Sequence, residues 1–237
     1  SNLIEHERDY KLIIFANYKQ IKFSVDNKEP DAFYDFTAKP YEHMQFTLTF
    51  PHFNDGFYDL LFLIVKDPYN VNLDENYRKQ TDMSHLISMR YSLQVGTNNL
   101  DNEKPIMNVY ENTENKTLDG IFLNQDSDEL RRLLTLECTL FEEPELFVHV
   151  GNKSDDSKNY VAFLLYDWQQ IPIESQNMLY FSVPHMSRVT LPIKLKALDK
   201  NGVHNLTAIC VEEPFQEATL QSRKADFSIR VGINVNK

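Results

Sequence analysis

The stretch 46–69, FTLTFPHFNDGFYDLLFLIVKDPY, limits what this chain can fold into more than any other. Phe46, Leu48 and Phe50 alternate with Thr47 and Thr49, the pattern of a half-buried strand. Asp55-Gly56 marks a turn, and 60–65 is the most apolar run in the sequence, stopped by Asp67-Pro68. The signature returns in weaker form at 191–215, LPIKLKALDKNGVHNLTAICVEEPF, where Gly202 and Pro214 stand as far apart as Gly56 and Pro68. A strand–turn–strand unit that occurs twice predicts an architecture built twice.

Other blocks extend the echo. Residues 33–38 fall on 178–183 at an offset of 145, and Phe46, Leu48, Phe50 and Phe53 fall on Leu191, Ile193, Leu195 and Leu198. With one residue inserted in the turn, Gly56, Leu60, Val65, Pro68 and Tyr69 meet Gly202, Leu206, Val211, Pro214 and Phe215. Residues 92–96 match 228–232 and residues 13–17 match 148–152, so Leu93 is expected over Ile229. The expected organisation is a first unit over 1–98, a partly ordered linker over 99–132, and a second unit over 133–237.

Further strands are expected at 10–17, 21–25, 88–96, 118–123, 134–140 and 160–166, with single helical turns near 75–79 and 127–133. No segment between strands is long and periodic enough for a crossover helix, which excludes a parallel α/β sheet. The expected fold is all-β: two tandem antiparallel β-sandwiches related by internal duplication. Parity along the two apolar runs puts Leu60, Phe62 and Ile64 inward, with Leu206, Ala208 and Cys210, and leaves Thr207 facing solvent or the edge of the other sheet. Cys138 and Cys210 share the apolar parity of their strands, which predicts two buried free thiols. A bridge between them would require α-carbons within about 7 Å.

The segment Asp55-Gly56-Phe57-Tyr58-Asp59-Leu60 resembles the turn into the penultimate strand of immunoglobulin-like domains. There a tyrosine two residues before an inward apolar position folds back on the main chain. Tyr58 precedes Leu60 by two, whereas His204 stands at the matching place before Leu206. The pair is similar to the tandem immunoglobulin-like or fibronectin-III-like β-sandwich modules of Gram-positive bacterial exported and surface proteins. That resemblance implies an extracellular or cell-surface location and a binding or spacing role, with no chemistry.

The charge of −11 and the lack of clustered Lys and Arg exclude a nucleic-acid or anionic-membrane surface. No apolar run is long enough to span a bilayer. Ser1-Asn2 reads as the remnant of a cleaved tag, so a missing leader carries no information on export. His43, His52, His85, His149, His185 and His204 lack metal-ligand spacing, and no metal or cofactor is expected. Asp126, Asp128 and Glu129, and likewise Asp155 and Asp156, sit in polar loops without the spacing of a calcium loop. Glu142-Glu143 and Glu212-Glu213 are adjacent on strands and point to opposite faces, so neither pair can share a proton. Phe53, Phe57 and Tyr69 are candidates for a core cap or a contact surface. Trp168, with Tyr166 and Gln169 beside it, either closes one end of a core or stacks on a sugar ring. The sequence therefore predicts a non-enzymatic spacer, adhesion or protein-interaction segment whose partner is a protein or a cell-wall glycan surface. A carbohydrate-binding pair using Trp168, Tyr166 and Gln169 is the alternative, and a hydrolase with an unseen site the third class.

Overall fold

The computed structural model describes residues 5–70, 73, 85–96, 105–108, 110, 112–113, 119–127, 131–173, 176–218 and 225–237. All regular structure among them is β-strand. Two compact units interleave in sequence: Ser1–Asn70, His85–Lys104 and Phe215–Lys224 form the first, and Val71–Ser84, Pro105–Pro214 and Ala225–Lys237 the second.

The hub of the first unit is β1 (Arg8–Ala16), which pairs antiparallel with β2 (Lys19–Gln20), β4 (Phe33–Ala38) and β6 (Gly56–Lys66). On its far side β6 pairs with β7 (Leu86–Val95). The β1–β2 connection is a two-residue turn whose residues, Asn17 and Tyr18, have φ of 47° and 65°. Such a turn matches the right-handed twist of its strands. Each left-handed residue with a side chain costs about 1–2 kcal/mol, and a chain with 6 glycines meets that cost at several turns. Hydrogen bonds offset it here: Asn17 N–H donates to the Asp59 carbonyl at 2.8 Å, and Asp59 N–H donates to Asn17 Oδ1 at 2.9 Å. A short ladder of β3 (Ser24–Val25) and β5 (Leu48–Thr49) belongs to the same unit. Its core holds Leu12, Ile14, Phe23 and Val25, against which Phe46, Leu48, Phe50, Phe62 and Ile64 pack.

In the second unit β12 (Lys158–Tyr166) takes the same set of neighbours: β13 (Gln169–Ile171), β14 (Leu179–Val183) and β16 (Gly202–Glu212). The far side of β16 carries β17 (Asp226–Phe227) and β18 (Val231–Asn236). Parallel to β18 runs β10 (Thr135–Thr139). A second sheet runs in the order β8 (Asn112–Thr113), β15 (Ser187–Lys194), β11 (Glu145–Asn152), β9 (Gly120–Asn124). Between the sheets lies a large apolar core that includes Leu146, Val148, Val150, Phe181, Leu191, Ile193, Leu206 and Val231. Two of these strands, β8 and β9, come from the stretch 99–132 that the sequence suggested as a linker.

The two sets of ladders have the same registers. Arg8 faces Ala38 and Lys158 faces Val183; Tyr10 faces Lys66 and Tyr160 faces Glu212; Gly56 faces Val95 and Gly202 faces Val235. Side-chain detail follows. Thr37 donates its hydroxyl to Asp9 Oδ1 at 2.6 Å, and Ser182 donates to Asn159 Oδ1 at 2.6 Å. Tyr10 stacks on Phe36 and Tyr160 on Phe181, with centroids 5.3 and 6.1 Å apart.

These registers correct part of the sequence alignment. Leu93, opposite Tyr58, corresponds to Ile233, opposite His204, and not to Ile229. Residues 10–21 correspond to 160–171, so 13–17 do not match 148–152. Short identity blocks misled, because a ladder fixes register through hydrogen bonds and hairpin length rather than through side-chain likeness. Parity also fails along the apolar runs. Leu61, Leu63 and Val65 are more deeply buried than Phe62 and Ile64, and Thr207, expected at solvent or at the edge of the other sheet, is 0% exposed. β16 is buried on both faces, where alternation carries no information, whereas in β6 the row of Leu61, Leu63 and Val65 is buried and Phe62 and Ile64 are half-buried. Leu60, Leu206, Ala208 and Cys210 are buried as expected. Gly56 and Gly202 open their strands at φ 148° and 127°, where side-chain-bearing residues are disfavoured. The helical turn suggested at 75–79, and the middle of that at 127–133, lie outside the described residues.

Replacing Leu63 by Ala should remove about 2–5 kcal/mol of stability in urea unfolding, and Ile87→Ala on the exposed row of β7 less than about 0.5 kcal/mol. Equal losses would mean that the faces of this sheet are misassigned. Cys138 and Cys210 are buried and unbridged. Burial pushes the Cys138 thiol up to about 11, helped by Glu142 and Glu137, and burial drives Cys210 well above the ordinary thiol value. Neither thiol should react with a disulfide reagent at neutral pH in the native protein, and two should react after unfolding without reductant.

Candidate functional site

Trp168, Tyr166 and Gln169 lie together at the β12–β13 hairpin, but not as an open platform. Asp167 and Trp168 form its two-residue turn at φ 46° and 70°, the geometry of Asn17 and Tyr18. The turn directs the indole inward: Trp168 is 3% exposed, with the Arg230 guanidinium 4.9 Å from its ring centroid. A buried ring offers no face to a sugar, so the stacking role suggested by sequence is corrected to a packing role. Tyr166 is half-buried and stacks on His204 at 5.2 Å; burial and the nearby Asp167 push its hydroxyl pKa up. Gln169 is exposed. Asp167 pins the turn to β16. Its N–H donates to the Asn205 carbonyl, and its carboxylate accepts from Asn205 N–H and Nδ2, each at 3.0 Å, and meets His204 Nδ1 at 2.6 Å.

In the first unit the carboxylate sits on the strand instead of the turn. Asp59, buried in β6, accepts hydrogen bonds from the Tyr18 hydroxyl, from Arg90 Nε at 2.7 and 2.8 Å, and from Phe215 N–H at 3.1 Å. Arg90 Nη2 lies 2.6 Å from the same carboxylate and donates to the Gln216 carbonyl at 2.8 Å. Both charges are fully buried. This cluster brings a carboxylate, a guanidinium and a hydroxyl together, with the carboxylate engaged by both of the others. Sequence reasoning missed it, although Asp59 interrupting an apolar run, with Arg90 on a neighbouring strand, was a readable signal.

An opening lies on the other face of the same sheet. Leu12, Leu48, Leu60, Phe62, Ile64, Met89 and Leu93 are among the side chains lining a cleft of about 550 Å³. Ile87, Met89 and Tyr91 rise along its β7 side with exposures of 49, 44 and 45%. In β18 and the segment before it, the positions matched to Met89, Tyr91 and Leu93 are Ile229, Val231 and Ile233, all buried. The β7 row is apolar and exposed, with no strand over it among the described residues.

The remaining candidates do not converge. Among the described residues no three His, Cys, Asp or Glu side chains are grouped to hold a metal ion. His149 stacks on Phe122, with its nitrogens 3.1 Å from Thr190 Oγ1 and 3.2 Å from the Asp126 carbonyl. Glu143 pairs with Lys194 and Glu212 with Lys158 at 2.8 and 2.9 Å. Phe53 packs on Tyr58, with centroids 4.6 Å apart, whereas Tyr69 is exposed and accepts from Lys11 Nζ at 3.3 Å. Tyr58 is half-buried and pairs opposite Leu93. The tyrosine hydroxyl bonded within the buried network is that of Tyr18.

Removing one partner of a fully buried ion pair leaves an uncompensated charge. Arg90→Met alone should therefore destabilise the protein by about 3–5 kcal/mol, whereas Asp59→Leu combined with Arg90→Met should recover most of the loss. Thermal and urea unfolding of the single and double variants measure this, and additive losses would mean the pair is not coupled.

No family model matches the sequence, and no curated protein matches it. The chain is similar to a solved structure titled as the N-terminal domain of PorA, at 12% identity and a TM-score of 0.28. That match covers 49% of this chain and 97% of the other.

Proposed function

We propose that the chain is a non-enzymatic pair of immunoglobulin-like β-sandwich modules, related by internal duplication, acting as a protein-interaction or adhesion segment of a secreted or cell-surface protein. The observation that carries the interaction role is the uncovered apolar row Ile87, Met89, Tyr91 beside a cleft of about 550 Å³. Contiguous exposed apolar surface of this kind marks a contact site. The fully buried Asp59 and Arg90 are engaged with each other, which favours a binding role over catalysis. A glycan-binding role rested on Trp168, whose ring is buried.

The duplication is supported by position-by-position agreement of turns and registers. Asn17-Tyr18 and Asp167-Trp168 are the same turn, and Arg90 and Arg230 stand at the same place relative to the Val95–Gly56 and Val235–Gly202 pairs. The immunoglobulin-like assignment is supported by the second unit's two sheets, with β16 lying between β12 and β18.

A photo-crosslinking amino acid at position 91 of the full-length protein in its native cells should yield a discrete protein adduct, whereas one at Val203 on β16 should not. Turnover in a panel of ester, glycoside, phosphoester and peptide substrates, or selective binding on a glycan array with no protein adduct, would overturn the reading.

A further inference from the structure

The second unit indicates what is missing over the cleft of the first. In residues 46–50 the side chains of Phe46, Leu48 and Phe50 turn toward the core, and Thr47 and Thr49 turn outward. Main-chain N–H and C=O groups alternate sides with the same period. Those of Thr47 and Thr49 point to β3: Asp26 N–H donates to the Thr47 carbonyl at 2.9 Å, and Ser24 stands opposite Thr49. Those of Phe46, Leu48 and Phe50 therefore point the opposite way, to a side that carries no strand among the described residues.

The matching segment of the second unit is occupied on that side. Leu191, Ile193 and Leu195 also face their core, and their main-chain groups meet β11: Leu195 N–H donates to the Pro144 carbonyl at 3.0 Å, Ile193 faces Leu146 and Leu191 faces Val148. For a strand of given direction and inward face, chirality fixes the side to which the inward residues present their amides. The bare edge at 46–50 is thus the counterpart of the edge that carries β11. Leu146, Val148 and Val150 of β11 enter the second core, where the row matched to β7 is buried.

We propose that the cleft of the first unit takes an extended strand of a partner polypeptide, added antiparallel to 46–50, with three alternate apolar side chains directed at Leu48, Phe62, Met89 and Tyr91. The proposal deepens the interaction reading above and rests on it. Main-chain bonds to Leu48 and Phe50 would give affinity, and the alternate side chains selectivity. The lining is apolar, so the inward positions of the partner strand are aliphatic or aromatic and uncharged.

The test uses the purified chain and peptides built on residues 144–152, PELFVHVGN, with Leu, Ile, Val or Phe at the positions of Leu146, Val148 and Val150. The expected result is saturable binding by at least one peptide, with amide exchange at Leu48 and Phe50 slowed about tenfold or more. Asp at the three inward positions should abolish binding. Met89→Asp in the protein should weaken binding about tenfold or more while leaving the melting temperature within a few degrees. Met89 is already solvent-accessible, and Met89→Lys gives a second variant of opposite charge with the same expected loss. Absence of binding across the set, binding without protection of Leu48 and Phe50, or binding indifferent to Met89 would each overturn the proposal. So would a dimer in sedimentation that Met89→Asp dissociates, because a second copy would then cover the cleft. A protein adduct at position 91 without peptide binding would leave the interaction reading standing and remove only strand addition.

Discussion

Everything in the first unit depends on the clasp between a left-handed turn and a central strand. Asn17 and Asp59 exchange hydrogen bonds through the main-chain N–H of each, one to a carbonyl and one to a side-chain oxygen. The clasp holds two residues at positive φ, fixes where β1 ends, and ties that end to β6 at Ala16 and Leu60. With β1 anchored at one end and paired to β4 and β6 along its length, the sheet has one register. Sliding β6 by one residue would lose the clasp and expose Leu61 and Leu63.

The second unit keeps the clasp and exchanges its chemistry. There the turn residue is the acid, Asp167, and the strand residue the amide, Asn205. The consequences run outward through named neighbours. A carboxylate on the strand in the first unit draws Arg90 into a buried ion pair and gives the Tyr18 hydroxyl an acceptor. In the second unit, where the strand residue is a neutral amide, the guanidinium of the matching arginine, Arg230, lies over the ring of Trp168. Trp, which has no hydroxyl to satisfy there, suits the place Tyr18 holds beside a carboxylate. The one tryptophan is therefore explained by local packing.

What could be read from sequence was the part governed by local rules. The strand expected at 10–17 forms over 8–16 and that at 160–166 over 158–166, and the apolar run at 60–65 lies within the strand 56–66, as alternation and apolar runs suggest. What could not be read was governed by the number of buried faces. An uninterrupted apolar run such as LLFLIV looks the same whether one row or both are covered, so Leu61 and Leu63 were passed over for Phe62 and Ile64. In β7, Met89 and Tyr91 alternate like a core row, and the matched Ile229 and Val231 of the second unit are buried, yet here no covering strand is present among the described residues. Pattern reports what a strand is suited to bury, and only the fold reports whether anything buries it.

That difference decides how much the likeness between the units can support. Two units with the same turn, ladders and register have the same requirement for cover over their inner rows. In the second unit β11 and β9 contribute inward-facing side chains to the core, and β10 extends the edge of β18. Among the described residues the first unit has the ladder of β3 and β5, which covers Leu12 and Ile14 but leaves Ile87, Met89 and Tyr91 exposed. Exposure of Ile, Met and Tyr gains nothing for stability and raises the risk of edge-to-edge association. Ser88 and Ser92, the polar residues beside this row, show that β7 accepts polarity readily where packing permits it. On the reading proposed above, the apolar row at 87, 89 and 91 is a binding surface, and the main chain at 46–50 sets the conformation of what binds.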